Sequence, residues 1–408
     1  MKAPAENLWH NSQFRAYLGS TALTGTAVAM QQLLFSWLLV GILVLPADQV
    51  GIVQAMVSLP GILLMLWGGA SADSSDPRDL LIRIYATAWM FPMALLAANE
   101  FGWMNIWTVS CFGLAMSTAI SYSSPAQQAI LNRVAGQQVQ RGVTAATIMQ
   151  FVVQIFGLLV AGQMEIVGVS EVLIVQSASL IIGVFAIRRI TPLVLPPARK
   201  EPTVKVILAG LKAAYNNRTI LHTLIITFTS GVFNAGAFMT ALPFIVKRTY
   251  AGDALGLATI MIVFYAGATI SNIIQFKVMP LARPGYWFLL MQLTRSVILA
   301  LVWLQPDWWL LMAALFFWGL NMGVTTNLSR AVVQEAAEPA YLARLLSVYN
   351  LGMMGSMPVG ALIIGFIIEA FGTMNAVVPA IFVSLFLCAY GFLYTGLGRY
   401  RSPGFQSD

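Results

Sequence analysis

Long apolar stretches dominate this sequence, and their length decides what it can fold into. A membrane-crossing helix needs about 20 mostly apolar residues. Twelve such stretches are present: Ala16–Leu43, Gln49–Ala72, Leu80–Ala98, Trp103–Tyr122, Gly142–Met164, Val172–Ile190, Thr219–Val246, Ala254–Val278, Tyr286–Leu304, Trp308–Leu328, Leu342–Glu369 and Thr373–Leu397. Lipid offers no partners for open backbone groups, so each stretch must be helical. A soluble domain could not hide this much apolar surface, since 59% of the 408 residues are hydrophobic and only 9% are charged. The net charge of +7 is spread over short loops and not along one face, so no nucleic-acid surface is expected. Cys111 and Cys388 both fall in apolar stretches and are expected as free, buried thiols. The polar start, Met1 to Arg15, runs into a long apolar stretch without a cleavage site behind a short one, so no removable signal peptide is expected.

The midpoint of the chain carries a basic connection, Arg188 to Arg218, with Arg188, Arg189, Arg199, Lys200, Lys205, Lys212 and Arg218. Pro192, Pro196, Pro197 and Pro202 break any helix running through it. A basic, proline-broken segment between two apolar halves reads as a cytoplasmic linker. The expected division is a first bundle over 1–190, a linker over 191–218 and a second bundle over 219–408.

The charges test the span count. With the N-terminus inside, the inner side holds Lys2, Arg15, Arg78, Arg83, Arg133, Arg141, the seven linker residues, Lys277, Arg283, Arg330, Arg344, Arg399 and Arg401. Only Lys247 and Arg248 fall outside, and Arg295 lies within a stretch. A wrong count would scatter these residues onto both sides, so twelve spans with both termini in the cytoplasm are expected. Trp103, Trp107, Trp303, Trp308 and Trp309 sit near the predicted outer ends, as an interfacial aromatic belt does.

The two halves repeat. Asp48-Gln49-Val50-Gly51 opens the second stretch and Asp253-Ala254-Leu255-Gly256 the eighth, 205 residues on. Arg141 recurs as Arg344, Gly157 as Gly360 and Gly162 as Gly365, all at an offset of 203. A parallel repeat of six spans is the signature of a carrier with its site between two bundles. The predicted fold class is all-α and integral to the membrane, with twelve transmembrane helices in two pseudo-symmetric six-helix bundles.

Between the second and third stretches, Gly68 to Arg83 reads GGASADSSDPRDLLIR. Gly69, Asp73 and Arg78 in it resemble the loop motif of the major facilitator superfamily. Asn11-Ser12-Gln13-Phe14-Arg15, Ser124-Pro125-Ala126-Gln127-Gln128 and the group Gln334, Pro339 and Arg344 resemble the enterobactin-exporter-like, or multidrug-efflux-like, branch. The resemblance covers nearly the whole chain. It implies a gating role for Gly69, Asp73 and Arg78, and a cavity lined by the first, fourth, seventh and tenth helices. The chain departs from the pattern three times, first with Asp79 and Leu80 where the loop motif usually has further basic residues. The loop after the eighth stretch, Met279 to Pro284, lacks the aspartate, and Gly157 to Gly162 lacks the Gly-Pro pair of the antiporters.

No enzyme constellation is visible. His10 and His222 have no metal-ligand partners at useful spacing, and no glycine loop for phosphates is present, so no cofactor or metal is expected. The carboxylates fall at span ends, so a coupling proton would have to use a helix-end acid such as Glu165, Asp48 or Asp253. Mid-span polarity comes instead from Gln31, Gln32, Gln150, Gln154, Asn234, Asn272 and Asn321, with Gln275 beside them. Amides can join helices or contact cargo. Trp37, Phe233, Phe238, Tyr265 and Trp318 are candidate aromatic walls. Arg295 lies about eight residues inside Trp287, roughly 12 Å deep, and shares a helix face with Gln292. Two roles are open to it: contact with cargo, or a structural bond to a neighbouring helix.

The predicted protein is a monomeric secondary transporter of the inner (cytoplasmic) membrane, working by alternating access on a small-molecule cargo. Export of a siderophore or drug-like compound is what the resemblance favours. Uptake of a small polar nutrient, and a transport-inactive sensor or assembly partner, stay open. The charge distribution makes a direct prediction, in a background lacking Cys111 and Cys388. A cysteine placed at Arg199 should resist membrane-impermeant thiol reagents in intact cells, and one at Gln305 should react. The reverse pattern would overturn the predicted topology.

Overall fold

In a computed structural model, residues 10–67, 76–192 and 203–403 are described. Helices account for nearly all of them. In order these are α1 (Ser12–Ile42), α2 (Ala47–Trp67), α3 (Pro77–Glu100), α4 (Ile106–Ala135), α5 (Val139–Gly162), α6 (Val169–Arg188), α7 (Thr203–Asn216), α8 (Arg218–Thr249), α9 (Ala254–Val278), α10 (Pro284–Trp303), α11 (Trp308–Ala336), α12 (Leu342–Phe371) and α13 (Met374–Tyr394). Among the described residues, eleven of these are long and apolar enough to cross a membrane. The fourth predicted span, α4, is 30 residues long. Its Ser117, Thr118, Ser121, Ser123, Ser124, Gln127 and Gln128 dilute its apolar character.

Two features differ from the sequence reading. The linker was expected to be broken by proline throughout, yet α7 fills its second half, starting directly after Pro202. A proline ahead of the first turn does not interrupt the ladder that follows. Gly210 of α7 lies against the Arg344 carbonyl of α12, with room for no side chain. Both cysteines are free, as expected, but only Cys388 is buried. Cys111 is exposed on its helix, because a membrane helix can present apolar side chains outward as well as inward.

Packing divides the chain into two compact units. The first comprises Met1–Leu43, Leu63–Lys200 and Asp253–Thr259, and the second Val44–Ile62, Glu201–Gly252 and Ile260–Asp408. In the first unit α1 is the central post. Gly157 of α5 sits against it so closely that a Cβ would lie 2.6 Å from the Ala29 Cβ. Gln176 of α6, fully buried, donates to the Ala27 carbonyl and to Gln31 Oε1, both at 3.0 Å. Gly162 lies against Ala258.

In the second unit α8 holds the equivalent place. Gly360 of α12 meets the Val232 carbonyl, and Gly236 meets Gly360 in return. Gly365 packs on Ala47 and Gly51 of α2, and the Glu369 carboxylate accepts from the Ala47 N–H at 3.1 Å, at the positive end of that helix. Small residues let helix backbones touch where lipid supplies no hydrophobic drive for association.

The repeat extends to the helix ends. Asn11 caps α1, accepting from the Gln13 and Phe14 N–H groups, and its amide donates to Val134 O at the end of α4. Asn217 caps α8, accepting from Ile220 N–H, and donates to Ala336 O at the end of α11. Each satisfies an orphan donor of one helix and an orphan carbonyl of another.

The close contacts predict opposite effects at two glycines. A Cβ at Gly319 would run into the Phe264 carbonyl oxygen, whereas one at Gly355 meets nothing within 4 Å. Gly319→Val should therefore destabilise the purified protein by about 1–3 kcal/mol. Gly355→Ala should stabilise it by about 0.5–1 kcal/mol through helix propensity. Melting midpoints in one detergent would check both.

Candidate functional site

The second unit encloses a cavity of about 380 Å³, lined by α8, α9, α10, α11 and α12. The backbone of α8 helps to shape it. After Gly236 the helix widens to a π-turn over Ala237–Ala241, a winding found often at functional sites. This turn places Phe238 and Met239 on the cavity wall and Thr240 elsewhere. The Thr240 hydroxyl donates to Gln54 Oε1 of α2 at 2.6 Å, and Gln54 Nε2 donates to the Met239 carbonyl at 3.3 Å. Gln54 thus ties down the segment where the α-helical ladder is interrupted.

Arg295 supplies the cavity's charge. Its residue is 5% exposed. Nε donates to Asn321 Oδ1 at 2.9 Å, and Nη2 to Thr325 Oγ1 at 2.8 Å, both on α11. Nη1 donates to Ser230 Oγ on α8 and, at 3.4 Å, to Gln292 Oε1 one turn back on α10. Each of these partners is neutral. No Asp or Glu lies among the residues lining the cavity. A buried cation costs free energy unless dipoles or a counter-charge replace its water. Here dipoles alone are present.

The acceptors are themselves held. Asn321 Nδ2 donates to Met291 O at 2.7 Å and Thr294 Oγ1 at 2.9 Å, which fixes its oxygen toward Arg295. Ser230 Oγ donates to Gln292 Oε1 at 3.2 Å. Asn234 turns its amide back onto Ser230 O at 2.7 Å, leaving its Oδ1 buried without a hydrogen-bond partner. Thr227 Oγ1, also on the lining, is likewise buried and unpaired.

The remaining wall is aromatic and thioether. Phe238 and Phe264 lie with ring centroids 4.2 Å apart, and Trp318 meets both edge-on at 6.0 and 5.7 Å. Tyr265 stands edge-on to Phe238 at 6.1 Å. Met239, Met322, Met353, Met354 and Met357 fill the gaps. Methionine is flexible and polarizable, so such a wall adapts to different shapes.

The predicted site residues divide between the units. Arg295 and Asn234 line the cavity, and Asn321 holds Arg295 from behind. Gln31, Gln32, Gln150 and Gln154 belong to the first unit. There Gln154 donates to Gln32 Oε1 at 3.0 Å, Gln31 accepts from Gln176, and Gln150 is exposed. Asn272 accepts from Asn327 at 2.6 Å, joining α9 to α11. Of the predicted aromatic walls, Phe238, Tyr265 and Trp318 reach the cavity. Trp37 is fully buried in the first unit and donates to Glu165 at 2.6 Å. Gly69 and Asp73 lie outside the described residues. Arg78 donates to Asp79 at 2.6 Å and to the Arg188 carbonyl at 3.0 Å. Gln54 and Gln176 were missed, since both fall in the first third of their predicted spans and not near the middle.

A helical membrane protein with a largely apolar cavity around one buried cation is arranged as a small-molecule carrier would be, and the comparisons agree. Residues 8–401 match the transmembrane secretion effector family of the major facilitator superfamily, and the chain belongs to it. Solved structures with the same fold include the nucleoside transporter NupG, at 13% identity and a TM-score of 0.70 over 96% of this chain and 100% of that one. A bacterial homologue of the human lysosomal transporter Spinster gives 12% identity and 0.68 over 96% and 98%. The POT family transporter PepTSo gives 11% and 0.69 over 95% and 98%. No curated protein sequence matches significantly. The protein is a transporter of the major facilitator type.

Two substitutions separate a binding role for Arg295 from a scaffolding one. Asn321→Leu leaves the guanidinium buried without its Nε acceptor and should cost about 1–3 kcal/mol of stability. Arg295→Met removes the desolvation cost of a buried cation that no counter-charge repays, which offsets the loss of its hydrogen bonds to Asn321, Thr325 and Ser230. Its melting midpoint should equal or exceed that of the wild type. A clear fall would assign Arg295 to the scaffold.

Proposed function

We propose that the protein exports a bulky, polar small molecule, siderophore-like or drug-like in size, from the cytoplasm by alternating access. It would act as a monomer in the inner membrane with both termini cytoplasmic. The observation that carries this reading is the cavity wall in the second unit, where a buried guanidinium without an acid partner faces aromatic and methionine side chains. Such a wall offers hydrogen bonds, a positive charge and a deformable apolar surface, which suits a large amphiphilic cargo. A lipophilic cation would need an acidic counter-charge instead. The family's description as a secretion effector supports outward transport. Gly69, Asp73 and Arg78 are proposed as the gating loop, and Gln31 and Gln154 as further cargo contacts in the first unit.

The test compares culture medium from deletion and wild-type cells. A compound present outside wild-type cells should be missing outside the deletion strain and be held inside it. The wild-type gene should restore it, and Arg295→Met, expressed to the same membrane level, should not. Accumulation of a compound in the medium of the deletion strain would mean uptake. Unchanged medium, with no flux in reconstituted vesicles, would make the protein something other than a transporter.

A further inference from the structure

We propose that the cargo is an aromatic organic anion of single charge bearing hydroxyl or amide donors, and that the membrane potential acting on that charge drives its export without a coupling ion. The inference rests on the export reading and adds the cargo's chemistry and its energy source.

The cargo's chemistry follows from what the cavity leaves unsatisfied. Arg295 carries a full positive charge, because a guanidinium does not lose its proton in proteins. Its hydrogen-bond partners are Asn321, Thr325, Ser230 and Gln292, all neutral. One anionic group brings the site to neutrality, and a second would leave it negative. Asn234 is on the lining, and its Oδ1 is buried and unpaired; the oxygen can only accept, so cargo that displaces the side chains covering it has to bring an O–H or N–H. Tyr265, partly exposed on the lining, presents ring surface to a flat body, backed by the packed rings of Phe238, Phe264 and Trp318.

The energy source follows from which groups titrate. The titratable side chains on the wall are Arg295, Tyr265 and Tyr349. An ordinary phenol ionises only near pH ~10. His222 of α8 is not on the lining and pairs with Tyr390 at 2.8 Å. Among the described residues, no helix-end acid lies on the lining. Glu165 accepts from Trp37, the Asp253 carboxylate caps α9 through Gly256 N–H at 2.8 Å, and Glu369 caps α2. Asp48 lies in the first turn of α2, outside the lining. No wall group is therefore placed to exchange a proton with the cargo near neutral pH. None is needed for an anion, since a cytoplasm at negative potential expels it. A tenfold concentration ratio is sustained per ~59 mV for a single charge.

Three probes of matched shape test this: a hydroxynaphthalene sulfonate, the corresponding sulfonamide and a hydroxylated N-methylquinolinium. Binding to the purified protein should fall in that order, with at least a tenfold preference for the sulfonate that Arg295→Met abolishes. In proteoliposomes with valinomycin and a hundredfold potassium gradient, interior positive, the sulfonate should accumulate toward a hundredfold ratio. Either orientation of the carrier allows this, and a pH step at zero potential should drive nothing. Accumulation that follows the pH step and ignores the potential would overturn the energy source and leave the export reading standing. Preference for the cation or the neutral probe would overturn the cargo assignment. Saturable binding of none of the three would overturn the cavity as a cargo site. Binding of the sulfonate without flux would overturn the transport reading itself.

Discussion

A guanidinium buried in an apolar bundle must have its lost water replaced on every side, and the second unit is arranged around doing so. Ser230 on α8, Gln292 on α10 and Asn321 and Thr325 on α11 each point a neutral oxygen at Arg295. Three helices are thereby fixed around one side chain. Holding the oxygens takes a further layer, in which Met291 O and Thr294 orient Asn321. A carboxylate would have neutralised the cation more simply. Its absence leaves a site with residual positive potential, and that property separates this cavity from a mere packing defect.

Backbone contacts flank that arrangement. Gly236 and Gly360 bring α8 and α12 together, and Gly267 and Gly319 bring α9 and α11 together, so the two helices that supply Ser230, Asn321 and Thr325 are each held against a neighbour. The first unit uses the same device at Gly157 and Gly183 around α1, but closes its polar groups on one another, Gln31 with Gln176 and Gln32 with Gln154. Related scaffolds thus carry different interiors: each keeps a buried amide oxygen without a partner, at Gln176 and Asn234, but among the described residues only the second adds a buried charge, at Arg295.

Much of the fold was legible because bilayer thickness imposes a length that apolar runs must meet, and because the glycine pairs at a constant offset mark contacts made twice. The α7 helix was not, since prolines clustered ahead of Thr203 masked the amphipathic stretch after them. Arg295 was legible because charge at that depth is costly wherever it points. Which amides would join it was not, because helical spacing gives the face of a residue but not the neighbour across from it. Asn321 met Arg295, Asn234 turned back onto Ser230, and Asn272 met Asn327. Phe264 and Phe288 were lost among 23 phenylalanines, and the cavity's methionines among 20, since neither type marks an interior wall in a lipid-embedded chain. The π-turn at Ala237–Ala241 leaves no trace in composition at all.

The methionine wall has a chemical consequence. A thioether is readily oxidised to a sulfoxide, which is polar, chiral and bulkier at sulfur. Five such groups surround one chamber, so an oxidising compound held there would roughen the surface that accommodates it. Met322, Met354 and Met357 are 36%, 36% and 39% exposed, so these side chains are open to an oxidant without any rearrangement of the helices. A flexible thioether wall therefore exchanges apolar character for polarity wherever it is oxidised.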